Sequence, residues 1–369
     1  MLAPANHGSA LAQLGKGRLS RIKHLLQGVE PGERVLDWLE LGSDPQWELN
    51  EARLDYDCVS GGVFPFVLTG QKIDRALYDA LNSYTDEIGS DGVVRVAAAN
   101  LNYSFLHLVQ DQKNGLTVKK TYRSKPTAFG VLPALAHSGD DLGIIRSVSE
   151  NGERPRRIAN RLGVPLEHPT ARWVLRCLQV TNRAEYAAAR DELAALTAQT
   201  QEDERIDRQQ TLFGTREYRN SRCIQVVFRL IDDRGQTLPD YDLYLTAGPE
   251  YSEQDLPPGF FVDRQRNRRN PGKLTYYLDH DTMFAGLQQP GLNGHLGFCI
   301  LARPTSGLAF YRELDFRSTL TELRRVLVPN ETMMVEIELK RVVDANVFRM
   351  SNDLRPTKIE GKPSGKTVA

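Results

Sequence analysis

The sequence predicts an α/β part followed by an all-β part, and two observations indicate this division. Gly61-Gly62 opens a continuous apolar run that ends at Gly70, which is typical of a buried parallel strand. Beyond residue 216, apolar and polar residues alternate, as in Ile224–Leu230 and Val335–Leu339, and turn signals such as Asn270-Pro271-Gly272 separate the runs. Short alternating strands of this kind indicate an antiparallel β-sandwich.

Four segments follow from this pattern. Residues 1–182 are predicted to form a partial α/β domain with a parallel sheet, and amphipathic, interrupted helices are expected over 18–57. These helices suit either a lid over a cleft or helices packed on the sheet. Residues 183–215 are expected to form a helical connector, 216–350 the β-sandwich, and 351–369 a disordered tail.

Two polar loops are predicted in the first segment, in the order strand, Asp91 loop, strand, His137 loop. A helix-like stretch over 72–83 leads to a turn at Asp91, and an alternating run from Leu116 to Tyr122 predicts a strand before the loop at His137. The carboxyl ends of parallel strands lie at one edge of a sheet, and the loops there carry functional groups. We therefore expect Asp91 and His137 to lie close together.

Composition excludes several classes of function. The 47 basic residues balance 47 acidic ones, so no net charge favours nucleic acid. The four cysteines contain no C-x-x-C pair, which argues against a zinc site or a disulfide framework. The chain shows neither an apolar run of about 20 residues nor a signal-peptide pattern, so we expect a soluble protein. Its compartment and oligomeric state stay open.

Asp91 and His137 are the candidate catalytic residues. A serine hydroxyl needs an imidazole to accept its proton, and the imidazole needs a carboxylate to fix its tautomer. Glycines beside both residues allow the tight turns that expose short side chains. The alternative is an ordinary turn aspartate and a structural histidine. The acid role has three further candidates in the sequence, which are Asp86, Asp140 and Asp141.

These two stretches carry a resemblance to a known family. Ser90-Asp91-Gly92, followed by two valines, resembles the acid motif of α/β-hydrolase lipases and phospholipases, and His137-Ser138-Gly139 resembles their histidine loop. Residues 3–9 are similar to a loop of the same enzymes, and the resemblance covers roughly residues 1–150. It implies that Asp91 is the acid and His137 the base of a serine triad.

The resemblance is incomplete, because no Gly-x-Ser-x-Gly turn occurs in the chain. Ser9 follows a glycine without the second glycine and is interpreted as a loop serine. We therefore expect a carboxylic ester hydrolase whose nucleophilic serine is missing from this chain, so that the chain alone would be inactive. The alternative is a non-catalytic binding or structural protein on a hydrolase-derived scaffold. The ester chemistry needs no metal or organic cofactor.

The densest basic run is a candidate contact for an anionic membrane surface. Arg264, Arg266, Arg268 and Arg269 fall within six residues of the predicted β part, in a predicted loop. Arginine clusters bind phosphate groups of lipids, although a solvated loop is the simpler interpretation. An ester or lipid substrate is the other predicted partner.

Overall fold

The computed structural model describes most of the chain. The described residues are 1–15, 33–73, 87–111, 115–138, 143–144, 158–159, 165–166, 169–211, 214–304 and 309–343. The helices are α1 (Ala10–Gly15), α2 (Glu33–Leu39), α3 (Asp44–Arg53), α4 (Val96–Ala99), α5 (Pro169–Leu178), α6 (Arg183–Asp203), α7 (His280–Leu287) and α8 (Leu320–Val326). The strands are β1 (Phe66–Thr69), β2 (Tyr103–Gln110), β3 (Leu116–Arg123), β4 (Ala128–Val131), β5 (Ile158–Ala159), β6 (Pro165–Leu166), β7 (Ile206–Thr211), β8 (Gly214–Arg219), β9 (Cys223–Asp232), β10 (Tyr241–Ala247), β11 (Phe261–Arg266), β12 (Lys273–Asp279), β13 (Leu296–Ala302), β14 (Ala309–Phe310), β15 (Leu314–Ser318), β16 (Thr332–Leu339) and β17 (Val342–Val343).

The chain is a mixed α/β protein with parallel and antiparallel sheets, as its sequence predicts. Its largest sheet has six strands in the order β11-β12-β9-β16-β2-β3. Strand β16 runs parallel to both of its neighbours, β2 and β9, and the other pairs are antiparallel. The expectation of a purely antiparallel β part is therefore wrong. Parallel pairing is possible here because long crossover connections separate β16 from β2 and β9 along the chain.

A three-stranded antiparallel sheet, in the order β10-β13-β15, shares an apolar core with this large sheet. Strand alternation explains how the core forms. On β16, Met333, Val335 and Ile337 belong to the shared core, whereas Met334 belongs to a separate cluster with Trp47 on the opposite face. The large sheet is thus apolar on both faces, and each face packs against different elements.

A smaller parallel unit holds the predicted polar loops. Strands β1 and β4 pair in parallel, and Leu2 extends the pair through a parallel bridge to Leu68. Helix α6 lies against β4, where Gly130 allows its close approach: a Cβ at Gly130 would lie 2.6 Å from Leu193 Cδ2. The Tyr186 hydroxyl accepts a hydrogen bond from the Ala128 amide. Helix α6 is therefore part of this core.

Several sequence-based boundaries differ from the structure. The segment 183–215 was expected to be helical, but α6 ends at Asp203 and the β7–β8 hairpin follows. The strand predicted at Leu116–Tyr122 is present as β3, yet it joins the large sheet together with β2. The strand that precedes His137 is instead β4.

The helices predicted over 18–57 can be judged only in part, because residues 16–32 lie outside the described residues. Helix α3 begins at the Ser43 cap and places Trp47 against Phe105 of the large sheet, with ring centroids 6.1 Å apart. The Tyr103 hydroxyl also donates to the Asn50 carbonyl. These contacts match helices packed on a sheet better than a lid.

Some predictions fall outside the described residues. These are the helix-like stretch beyond residue 73, the loop residues 139–142 and the tail 351–369. Within the described part of the chain, none of the helices combines the length and the apolar character that crossing a bilayer requires.

Candidate active site

The structure brings Asp91 and His137 together. The Asp91 carboxylate oxygen Oδ2 lies 3.0 Å from Nδ1 of the His137 ring, within hydrogen-bond distance. Asp91 is fully buried, and the His137 side chain is 11% exposed. Among the described residues, no group is hydrogen-bonded to the other ring nitrogen, Nε2. The pair therefore has the carboxylate-to-imidazole contact that orients a base.

Local backbone geometry fixes the Asp91 side chain. Its other oxygen, Oδ1, accepts hydrogen bonds from the amides of Val93 at 3.0 Å and Val94 at 2.7 Å. This turn requires positive φ at Gly92, which has φ 96°. Because Oδ1 is held by two amides, Oδ2 is directed towards the imidazole. The Asp-Gly pair in the sequence is thus the local cause of the carboxylate's orientation.

The His137 loop follows β4 at the carboxyl end of the parallel pair. The Leu132 amide donates to Thr69 O at 2.8 Å, which continues the pairing beyond β4. The His137 amide donates to the backbone carbonyl of Asp91 at 2.9 Å, so backbone and side chain both join the two loops. Two independent hydrogen bonds between the loops limit their relative movement.

The surroundings of His137 change the pKa of its imidazole. Burial alone would lower this pKa, but the charge of Asp91 and its hydrogen bond outweigh burial, and the pKa of His137 is raised above its ordinary value of 6.5. An imidazolium next to a buried carboxylate is the species that forms when a triad histidine accepts a proton. The site stabilises that species.

A buried arginine connects the Asp91 loop to the large sheet. Arg95, whose side chain is 1% exposed, donates to both carboxylate oxygens of Glu87, at 2.8 and 2.6 Å. It also pairs with Asp263 on β11, and its guanidinium lies 4.2 Å from the centroid of the Tyr277 ring on β12. Burial would lower the pKa of Arg95, but Glu87 and Asp263 more than offset burial and raise it. Arg95 therefore remains charged.

The Tyr277 hydroxyl makes a second connection between the large sheet and the loop. Its oxygen lies 3.0 Å from the Ile88 carbonyl oxygen and 2.8 Å from the Gly89 carbonyl oxygen, so its one proton can donate to either. A Cβ at Gly89 would lie 2.7 Å from that hydroxyl, and the φ of 67° at Gly89 also disfavours any other residue. The large sheet thus supports the loop that carries Asp91.

Sequence reasoning did not find Arg95 or Tyr277. One signal was available: Arg95 is the only charge within the apolar run Val93–Ala99, and a charge in a buried run requires a buried partner. The partners Glu87 and Asp263 are 8 and 168 residues away along the chain. No local pattern identifies the second of them.

The other polar candidates from the sequence do not form a catalytic or metal-binding group in the described part of the chain. Ser9 is buried, and its hydroxyl donates to the Val93 carbonyl at 2.7 Å, which agrees with a structural loop serine. Asp86, Asp140 and Asp141 lie outside the described residues. Within the described ranges, no three His, Cys, Asp or Glu side chains are grouped as metal ligands would be.

The arginine run lies partly on a strand and not entirely in a loop. Arg264 and Arg266 belong to β11, where Arg266 donates to the Tyr241 carbonyl at 2.6 Å. Arg269 pairs with Asp37 at 2.5 Å. Arg264, Arg268 and Arg269 are exposed, and contact of this run with an anionic surface stays a prediction.

Two solved structures are similar to this chain over nearly its whole length. Phospholipase PlaB from Legionella pneumophila is 58% identical to it, with a TM-score of 0.86, and the match covers 99% of this chain and 75% of that chain. The chain belongs to the PlaB phospholipase family. PlaB in complex with thio-NAD matches with the same coverage, at 56% identity and a TM-score of 0.84. No family model matches the chain, and no curated protein does.

Membership of the PlaB family agrees with the lipase- or phospholipase-like resemblance that the sequence predicts. The match leaves a quarter of the PlaB chain uncovered.

Proposed function

We propose that this chain takes part in the hydrolysis of phospholipid carboxylic esters, with His137 as the general base and Asp91 as the residue that orients it. The observation that carries this proposal is the 3.0 Å contact between the Asp91 carboxylate and His137 Nδ1 at the end of a parallel strand pair. The PlaB relatives, which are phospholipases, support the substrate class.

The proposed mechanism follows triad chemistry. A serine hydroxyl placed against His137 Nε2 loses its proton to that nitrogen as its oxygen attacks the ester carbonyl, and the imidazolium then gives the proton to the leaving alcohol. Water repeats the sequence on the acyl-enzyme and releases the fatty acid. Because the chain contains no Gly-x-Ser-x-Gly turn, we propose that the serine is supplied from outside these 369 residues.

The architecture belongs to the same proposal. Strands β1 and β4 with α6 would be part of an α/β-hydrolase sheet, and the six- and three-stranded sheets would form a β-sandwich around their shared core. The boundary at residue 182 is then replaced by an interleaved arrangement, since β2 and β3 lie within the sandwich. Under the alternative, a non-catalytic scaffold, the Asp91–His137 pair would be a structural contact only.

The pH dependence of hydrolysis tests the proposal. A base must be neutral to accept a proton, so we expect kcat/KM for phospholipid vesicles to rise with pH through the raised pKa of His137, above about 6.5. The assay uses the protein purified from its native host and measures the fatty acid that is released. Asp91→Asn removes the charge that raises this pKa and should move the acidic limb to lower pH.

The same shift predicts a pH effect on stability. The pKa of His137 in the folded protein is raised. The contribution of the Asp91–His137 pair to the free energy of unfolding is therefore complete below the unfolded pKa near 6.5 and is lost as pH rises through the folded pKa.

A pH profile of kcat/KM with no ionisation in this range, or one that Asp91→Asn leaves unchanged, would contradict His137 as the base. Absence of any hydrolysis by the native protein would favour the scaffold alternative.

We also propose that this chain binds a nicotinamide dinucleotide, because one PlaB structure is in complex with thio-NAD and is 56% identical to it. Ligands that bind only the folded state raise its melting temperature by mass action. We expect NAD to raise the melting temperature in a concentration-dependent way, whereas AMP with free nicotinamide should not match it. If NAD left the melting temperature unchanged, the proposed binding of a nicotinamide dinucleotide would be contradicted. The sequence had suggested no cofactor.

A further inference from the structure

The two larger sheets enclose a cavity of about 370 Å³. Protein interiors normally contain few voids larger than a water molecule. Apolar cavities of about 150 Å³ stay dry and bind benzene, so this one has more than twice the volume needed for a small apolar ligand. It falls in the size range of ligand pockets, roughly 300–1,000 Å³. The cavity is therefore large enough to be a binding site.

Its walls are apolar and come from both sheets. Leu106, Val226, Phe228 and Val335 line it from the six-stranded sheet, and Phe298 and Phe316 line it from the three-stranded sheet. These side chains offer no hydrogen bond to a polar ligand. Only an apolar ligand would be favoured in the interior.

The polar groups within the cavity are already engaged. The Ser318 hydroxyl donates to the Leu296 carbonyl at 2.6 Å, and the Tyr276 hydroxyl donates to the Leu243 carbonyl at 2.7 Å. Glu322 accepts hydrogen bonds from Thr319 in the capping box of α8. None of these three side chains is directed to a ligand.

The opening of the cavity lies between β3 and α8, where its lining residues are exposed. Val118 is 52% exposed, and Thr121 and Arg325 are exposed as well. Arg325 interacts electrostatically with Glu322, which lies one turn earlier on α8 and also lines the cavity. The Glu322 carboxylate accepts hydrogen bonds from Thr319 in the capping box, so Arg325 is the cation at the opening that can contact the anionic end of a ligand.

We propose that this cavity binds a single fatty acid, with the hydrocarbon chain between the sheets and the carboxylate beside Arg325. The cavity is separate from the Asp91–His137 pair, since neither residue lines it. The face of β16 that carries Val335 is also opposite to the face that packs on Trp47. The binding chemistry does not rest on the proposed function, although ester hydrolysis would supply the ligand.

Calorimetric titration of the delipidated full chain with decanoate, dodecanoate and tetradecanoate tests this site. Each buried methylene should increase affinity about fourfold, so two methylenes give roughly fifteenfold. Val335→Phe fills the cavity and should weaken tetradecanoate binding at least tenfold. Arg325→Gln should weaken binding of all three acids by a similar factor and preserve their chain-length dependence. Arg324→Gln, on the same helix but outside the lining, is the matched control.

A second variant covers the case in which Val335→Phe does not fold. Val118→Glu places a negative charge at the exposed opening and should repel the carboxylate, whereas Thr117→Glu on the same strand lies outside the lining and should not. Absence of binding, no dependence on chain length, or equal binding by wild type and Val118→Glu would overturn the proposal. Tighter binding of lysophosphatidylcholine than of tetradecanoate would also overturn the fatty-acid assignment.

These titrations are independent of hydrolysis. Fatty-acid binding without phospholipase activity would remove only the proposed function. Activity with no binding in the cavity would remove only the site proposed between the sheets.

Discussion

Replacing His137 with alanine should reduce kcat for phospholipid hydrolysis by about 10⁶-fold, because loss of a triad histidine removes proton transfer to and from the serine. Asp91→Asn should cost about 10⁴-fold, since the amide favours the wrong imidazole tautomer. The double variant should be hardly worse than His137→Ala alone, because the two residues act as one unit. Initial rates of fatty-acid release by the native protein and its variants measure these effects.

His107 provides a matched control for His137. Its side chain is 12% exposed against 11% for His137, and it also lies beside carboxylates, those of Glu336 and Glu338. His107→Ala should therefore retain activity within a few-fold of wild type, although it removes a histidine of similar burial. Equal losses in the two alanine variants would indicate a stability effect and contradict a catalytic role for His137.

The second large effect concerns Arg95. Arg95→Met would leave the carboxylates of Glu87 and Asp263, which are 13% and 18% exposed, without their shared cation. Removing one partner of a buried ion pair costs about 3–5 kcal/mol, so we expect a loss of that size in the free energy of unfolding. Arg95→Lys should restore only part of it, because lysine cannot form the bidentate contact or stack on Tyr277 as arginine does.

Arg303 gives the control for this prediction. It also pairs with two aspartates, Asp240 and Asp242, but at the exposed surface. Arg303→Met should unfold in urea at the same midpoint as wild type within error. If Arg95→Met behaved like Arg303→Met, the connection between the large sheet and the Asp91 loop would carry no measurable energy.

The turn that orients Asp91 could be anticipated because its determinants are local. Gly92 permits the turn in which Asp91 caps two amides, and this turn is visible in a few letters of sequence. The nearness of His137 was expected from the rule that loops after parallel strands meet at one edge, but the strand assigned before His137 is β3 of the large sheet, and the parallel strand is β4. A catalytic residue that is oriented by a local turn can therefore be recognised from the sequence.

The arrangement of the strands could not be anticipated in the same way. The hairpin β2–β3 pairs with β16, where Phe105 lies opposite Met334, more than 200 residues later. Alternation in a sequence identifies a strand but not its neighbour. The parallel strand β4 was missed because it has only four residues and contains Gly130, whose missing side chain accommodates Leu193.

The packing of helix α6 on the β1–β4 core could not be predicted from the sequence for a related reason. Its exposed positions are rich in Ala, Glu and Gln, which suggested a connector. Few large side chains on its inner face, chiefly Tyr186 and Leu193, reach the β1–β4 core. A helix that contacts its sheet through a few anchors has a weak periodic signal.

Labelling with a fluorophosphonate probe tests the Asp91–His137 pair most directly, because the probe reacts only with a serine that a base has activated. A catalytic pair predicts that one serine of the native protein is labelled stoichiometrically and that His137→Ala slows labelling by several orders of magnitude, while His107→Ala labels like wild type. If His137→Ala were labelled at the wild-type rate, a catalytic role for the Asp91–His137 pair would be contradicted.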